Sequence, residues 1–184
     1  VGALVVACRR SGITDWRRVP TAFGLSFRTV DLLGIPLGVA VQVAVLPLVY
    51  WPLRAAWPDT FNDDKVQQRA RDLWQHAHGA GLLLLILVVV IGAPVIEELV
   101  YRGLLQGAFE RRAATASIAS RLAAVGVVAV WFAVIHFQPV ETPGLFVVGL
   151  AFGLATWFTR RLGMGVCAHM AFNATGLVMV AFAR

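Results

Sequence analysis

Residues 79–103 read GAGLLLLILVVVIGAPVIEELVYRG, and this stretch decides the fold. Positions 79 to 96 carry no charge and are dominated by Leu, Val and Ile. A run of that length and character reads as a membrane-spanning helix. It ends on two adjacent acids, Glu97 and Glu98, and Arg102 follows four residues after the second. A charged side chain at the centre of a bilayer costs about 2.5–3.5 kcal/mol on insertion scales. A purely structural ion pair needs one acid, and here there are two. The stretch therefore reads as a lipid-buried helix that carries a functional site.

The rest of the chain agrees with that class. Of its 184 residues, 59% are hydrophobic and 14% charged, where a soluble domain carries roughly a quarter charged. The mean hydropathy is +0.75. The expected fold is all-α, a polytopic transmembrane bundle forming one domain over residues 1–184. Further apolar runs lie at Leu32–Leu53, within Ala113–Phe137, at Gly144–Phe158 and at Met164–Phe182. With Gly79–Ile96, extending toward Phe109, and an opening stub VGALVVAC, they make about six membrane segments. The stub reads as the end of a helix truncated upstream. Pro47 is expected to kink the second segment, and Gly92-Ala93-Pro94 to mark a break or restart.

Charge sorts the loops. Loops 9–31, 110–121 and 159–163 hold ten basic residues, and the alternate connections hold five. The positive-inside rule puts the ten in the cytoplasm and makes this a multi-pass protein of the plasma (inner) membrane. On the opposite side, DDKVQQRARDLWQHAH within loop 54–78 suits a surface amphipathic helix. The net charge of +6 fits an anionic leaflet and not nucleic acid, because the arginines sit in short loops between apolar runs. A single lysine among sixteen bases fits a GC-rich bacterial genome. Cys8 and Cys167 imply no disulfide framework.

Few polar groups fall within the spans: Glu97, Glu98, Arg102, His136, His169 and Asn173. On a helix, Glu98 and Arg102 are an i,i+4 pair in the favourable order. Glu97 is rotated about 100° from Glu98, which leaves it to face a cavity. His169 and Asn173 share a face, as do Phe132 and His136. A carboxylate beside a neutral imidazole can take a proton from water. A second imidazole and an amide can donate to a developing oxyanion. This makes a hydrolytic set without a covalent nucleophile. The chain has no HExxH motif, no aspartate within these runs and no serine in a GxSxG-like turn. His76 and His78 lack a third ligand.

The three patches, in order, are Glu97-Glu98-Leu99-Val100-Tyr101-Arg102, Phe132-Ala133-Val134-Ile135-His136 and His169-Met170-Ala171-Phe172-Asn173. They resemble the EExxxR, FxxxH and HxxxN/D motifs of the CPBP family, the CAAX protease and bacteriocin-processing membrane proteins, which include type II CAAX prenyl proteases. The resemblance covers roughly residues 79 to 183, the motif-bearing core. It implies an intramembrane endopeptidase of glutamate type acting on a peptide or membrane-protein substrate. By motif match, Glu97 activates water with help from His136, His169 and Asn173 stabilise the oxyanion, and Glu98 and Arg102 support the site. No cofactor is required. Because family members have been described as metalloproteases, zinc on Glu97, His136 and His169 stays open. The alternatives are a non-catalytic immunity or scaffold protein of the same family, and a proton-coupled transporter. Hydropathy sets one problem. It puts Glu97 and His169 toward the cytoplasmic ends of their spans and His136 toward the outer end of its own.

Overall fold

The computed structural model describes residues 23–112 and 117–183. Among them are six helices and no strand: α1 (Thr29–Ala56), α2 (Asp63–His76), α3 (Ala80–Arg112), α4 (Ile118–Val134), α5 (Thr142–Thr159) and α6 (Gly163–Phe182). Helices α1, α3, α5 and α6 are each long and apolar enough to cross a membrane, and α4 is a shorter apolar helix. The molecule is an all-α, multi-pass membrane bundle. The opening stub counted as a sixth segment lies outside the described residues. Helix α2 is capped by Asn62, whose side chain accepts from the Lys65 N–H at 2.9 Å, and it buries no residue.

Three boundaries differ from the sequence expectation. Helix α1 starts at Thr29 and so takes in an aspartate, Asp31, which is fully buried. Its charge is not left bare. Arg161 grips both carboxylate oxygens at 2.8 and 3.1 Å, and the Arg28 N–H donates at 2.8 Å.

Helix α3 does not break at Pro94. Proline lacks an N–H and crowds the preceding turn. The helix absorbs this by widening to i→i−5 turns at Leu87–Gly92, and it widens again at Leu99–Gln106. The run is 33 residues long, about 50 Å at 1.5 Å per residue, against a hydrocarbon core of about 30 Å. Glu97 and Glu98 therefore sit at mid-helix and not near an end.

Helix α4 stops at Val134, so His136 is not on a helix face. Phe137 takes a left-handed φ of 52°. Pro139 disfavours helical geometry at the residue before it.

Membrane helices associate through close packing more than through hydrophobic drive. Gly34 and Gly38 lay α1 directly on α6, where a Cβ on either would collide with the backbone of Met164 or Ala168. Gly149 of α5 meets Ala129 of α4 in the same way. Val41, Phe132, Val148, Phe152 and Ala168 form the core between these helices. Large apolar side chains such as Leu83, Leu84 and Ile96 face outward, as a lipid-facing surface requires. Two of these contacts place the site: the α1–α6 approach holds Ala168, and with it the neighbouring His169, while Tyr50 holds the connection after α4. The Tyr50 hydroxyl donates to Val140 O at 3.0 Å and accepts from the Gly144 N–H at 3.3 Å.

Candidate active site

Glu98 and Arg102 pair at 3.0 Å with both side chains fully buried. Arg102 spends a second nitrogen on Gly149 O at 3.2 Å and lies over the Phe132 ring at 4.7 Å. The sequence reading gave Glu98 this partner and missed another. His169 Nδ1 stands 3.0 Å from Glu98 Oε1. A carboxylate paired with a guanidinium only accepts, so the ring proton is on Nδ1 and Nε2 keeps its lone pair. That free nitrogen lies 3.9 Å from Glu97 Oε2. The two acids differ sharply in access: the Glu97 side chain is 29% exposed and that of Glu98 0%. Phe152 and Phe132 flank the His169 ring at 5.1 and 6.0 Å.

Asn173 does something its motif does not announce. Its Nδ2 donates to Val89 O at 2.7 Å. In the wide turns of Leu87–Gly92, Ala93 N–H bonds to Val88 O. The next bond in that register runs from residue 94 to Val89, and residue 94 is proline. Val89 O is thus the carbonyl that Pro94 orphans, and Asn173 satisfies it from a neighbouring helix, as proline-bearing membrane helices require. One of the two amide N–H groups remains uncommitted.

His136 lies past the end of α4, and its Nδ1 donates to Phe132 O at 2.6 Å. Since a carbonyl only accepts, its Nε2 is also the free ring nitrogen. Its ring sits 4.6 Å from the Phe132 ring, the same ring that touches His169. Both imidazoles therefore pack on one phenylalanine, and no membrane-width gap separates them. The conflict in depth eases because Glu97 sits at mid-helix in a run that continues to Arg112 and because His136 hangs from a loop. Next to it, burial pushes the Glu141 carboxyl above the usual range, while Arg69 and His136 pull it back.

Both imidazoles anchor one nitrogen and free the other, as metal-binding histidines do, and Glu97 adds a carboxylate. The spacing is wider than that of two ligands on one tetrahedral ion. Two tetrahedral ligands at 2.0–2.1 Å stand about 3.3 Å apart, less than the 3.9 Å between Glu97 and His169. Among the described residues no three of His, Cys, Asp and Glu converge on one point.

A family model described as type II CAAX prenyl endopeptidase Rce1-like matches residues 79–175, more than half of the chain. The chain belongs to that family. No curated protein and no solved structure matches it significantly. The matched segment begins at α3, so Tyr50, Asp31 and the Gly34/Gly38 contact are supplied from outside it. Sequence reasoning also missed Gln106, whose amide donates to Gly153 O at 3.0 Å and Glu110 at 2.8 Å. The signal was available. Glu98, Arg102, Gln106 and Glu110 recur every four residues along an otherwise apolar helix.

Proposed function

We propose that this chain is an intramembrane endopeptidase that hydrolyses a peptide bond with water activated by Glu97. The observation that carries the reading is the unequal pair of acids. Glu98 is sealed against Arg102 and His169, and Glu97 is open and 3.9 Å from the free nitrogen of the same imidazole. A water between those two acceptors hydrogen-bonds to both. Glu97 takes one of its protons, and the oxygen attacks the scissile carbonyl carbon. When the C–N bond breaks, Glu97 returns the proton to the leaving amine. The water's hydroxyl stays on the new carboxyl, and no covalent enzyme intermediate forms. His169 orients the water, and the uncommitted N–H of Asn173 donates to the oxyanion. His136, with Nε2 free, receives a polar group of the substrate beside Phe132.

The arginine-rich ends of α3 and of the α5–α6 turn support an orientation with that face in the cytoplasm of a bacterial plasma membrane. The substrate is a peptide or membrane protein that reaches the bundle at mid-helix depth. The test is cleavage of a peptide library by the full chain in proteoliposomes, read by mass spectrometry. Glu97→Gln is expected to lower the rate by about 10²–10⁴-fold, the range of general acid–base catalysis. Cleavage at the wild-type rate overturns the mechanism. In the same assay a chelator is expected to leave the rate unchanged. Loss that zinc restores would reassign Glu97, His136 and His169 as ligands.

A further inference from the structure

One cavity lies away from Glu97 and both imidazoles. It measures about 310 Å³ and opens between the basic ends of α3 and α4 and the α5–α6 turn. Arg102 and Gln106 contribute from the buried side, and Arg111, Arg121, Thr156 and Arg160 complete the part that matters here. The charges do not balance. Arg102 is offset by Glu98 at 3.0 Å and Arg160 by Glu110 at 3.2 Å. A third guanidinium on the wall, Arg161, is offset by Asp31 at 2.8 Å. Arg111 and Arg121 have no carboxylate partner among the described residues.

Hydrogen bonding is also incomplete at this cavity. Arg102 is 2% exposed, and its Nε has no partner. The Nε of Arg121 and the hydroxyl of Thr156 are likewise buried and unpaired. A buried donor without an acceptor is costly, and three around one cavity point to a ligand rich in acceptor oxygens. Two features run the other way. Gln106 Oε1 is an unpaired acceptor there, and the Glu110 carboxylate is part of the wall. Glu110 is held by Arg160 and by Gln106 Nε2, and Gln106 Oε1 suits a bridging water.

We infer that this cavity binds a phosphate-bearing anion, received by Arg111, Arg121 and the unpaired donors beneath them. It lies where the membrane helices end on the arginine-rich side, at headgroup depth, and basic pockets in that position take anionic lipid headgroups. A phosphodiester headgroup and free phosphate share the chemistry, and the experiment separates them. The inference is independent of the proposed protease activity.

The test is native mass spectrometry of the full chain in detergent, titrated with phosphatidylglycerol or with phosphatidylcholine of the same chain length. One phosphatidylglycerol is expected to stay bound under conditions that strip phosphatidylcholine. Each basic group at an anionic headgroup is worth about fivefold. Arg111→Ala with Arg121→Ala should therefore weaken phosphatidylglycerol binding about thirtyfold, and Arg69→Ala with Arg71→Ala, on the opposite face, should leave it unchanged. Should the double variant fail to purify, Arg111→Gln and Arg121→Gln singly should each cost about fivefold. Displacement of the adduct by inorganic phosphate assigns the site to free phosphate; resistance to displacement assigns it to lipid. Wild-type binding by the Arg111/Arg121 variants overturns the inference, and so does an equal loss in the Arg69/Arg71 pair.

Discussion

Replacing Asn173 by alanine tests whether this residue repairs the defect that Pro94 makes in α3. The structure predicts a cost that depends on the proline. Asn173 donates at 2.7 Å to Val89 O, the carbonyl whose i→i−5 partner would be the missing N–H of residue 94. Removing a buried partner costs about 1–3 kcal/mol in general. Side-chain hydrogen bonds between membrane helices average about 0.6 and reach about 1.7 kcal/mol. Asn173 is only partly buried, so about 1 kcal/mol is the working figure. For a chain of this size that is a Tm loss of about 2–4 °C. In a Pro94→Ala background, residue 94 regains its N–H and can close the helix bond itself. The Asn173→Ala cost should then fall close to zero, leaving a coupling of about 1 kcal/mol between two residues on different helices.

Tryptophan-fluorescence melts of the four proteins in detergent measure that coupling with no need for a substrate. The same cycle in kcat/KM separates the amide's two N–H groups. A donor aimed at the oxyanion is worth about 10²–10³-fold, and that part should persist whether or not Pro94 is present. Equal Tm losses in both backgrounds would refute the orphan-carbonyl argument. Full recovery of activity in the double variant would remove Asn173 from the oxyanion site.

Three further substitutions extend the test beyond Asn173. A Cβ on Gly165 would lie 2.9 Å from both Glu98 Oε2 and Thr156 Oγ1, so Gly165→Ala should cost about 1–3 kcal/mol by overpacking and depress kcat by disturbing Glu98. Gly126→Ala, where a Cβ meets nothing within 4 Å, should instead stabilise α4 by about 0.5–1 kcal/mol; paired melts and rates compare them. Glu141→Gln should raise Tm at neutral and alkaline pH and leave it unchanged below the carboxylate range. The sign follows from burial, which lifts the folded carboxyl's pKa: the fold resists ionisation, and the penalty is absent at low pH and complete above the raised pKa. A benefit at acid pH would contradict it.

The bundle was legible because lipid permits few alternatives. Uncharged runs and alternating arginines located α1, α3, α5 and α6 to within a few residues. What could not be read was depth. Hydropathy put Glu97 toward the cytoplasmic end of its uncharged run, yet it sits at mid-helix, because the helix that the sequence extended toward Phe109 continues to Arg112 on a polar ridge of four-residue period that α5 satisfies through Gly149 and Gly153 carbonyls. Asp31 escaped notice for the same reason, since its charge is cancelled by Arg161, 130 residues away in sequence. His136 was read onto a helix because Phe132 and His136 have helical spacing, and that contact survives at 4.6 Å although the helix has ended. The motif pattern thus reported a ring-on-ring contact correctly and the backbone wrongly. The bond from Asn173 to Val89 was beyond reach, because a proline's missing N–H does not say which helix will cover the exposed carbonyl.

Two adjacent acids persist in this membrane helix because they solve different problems. Glu98 is fully buried against Arg102, and removing either partner of such a pair costs about 3–5 kcal/mol. Stability alone is a weak reason to keep it, since buried ion pairs often contribute little over apolar residues of similar size. Its second contact supplies a better one. By accepting from His169 Nδ1, Glu98 fixes that ring's tautomer and direction, the service a buried carboxylate gives a working histidine elsewhere. The consequence appears on the other side of the ring, where Nε2 meets Glu97. Arg102 offsets only the carboxylate it touches, so the remaining negative charge rests on the one acid that is 29% exposed. A base for water needs a lone pair, access and a fixed neighbour. In the proposed mechanism Glu97 has all three because Glu98, one residue away and about 100° around the helix, gives up its own access to hold the neighbour still.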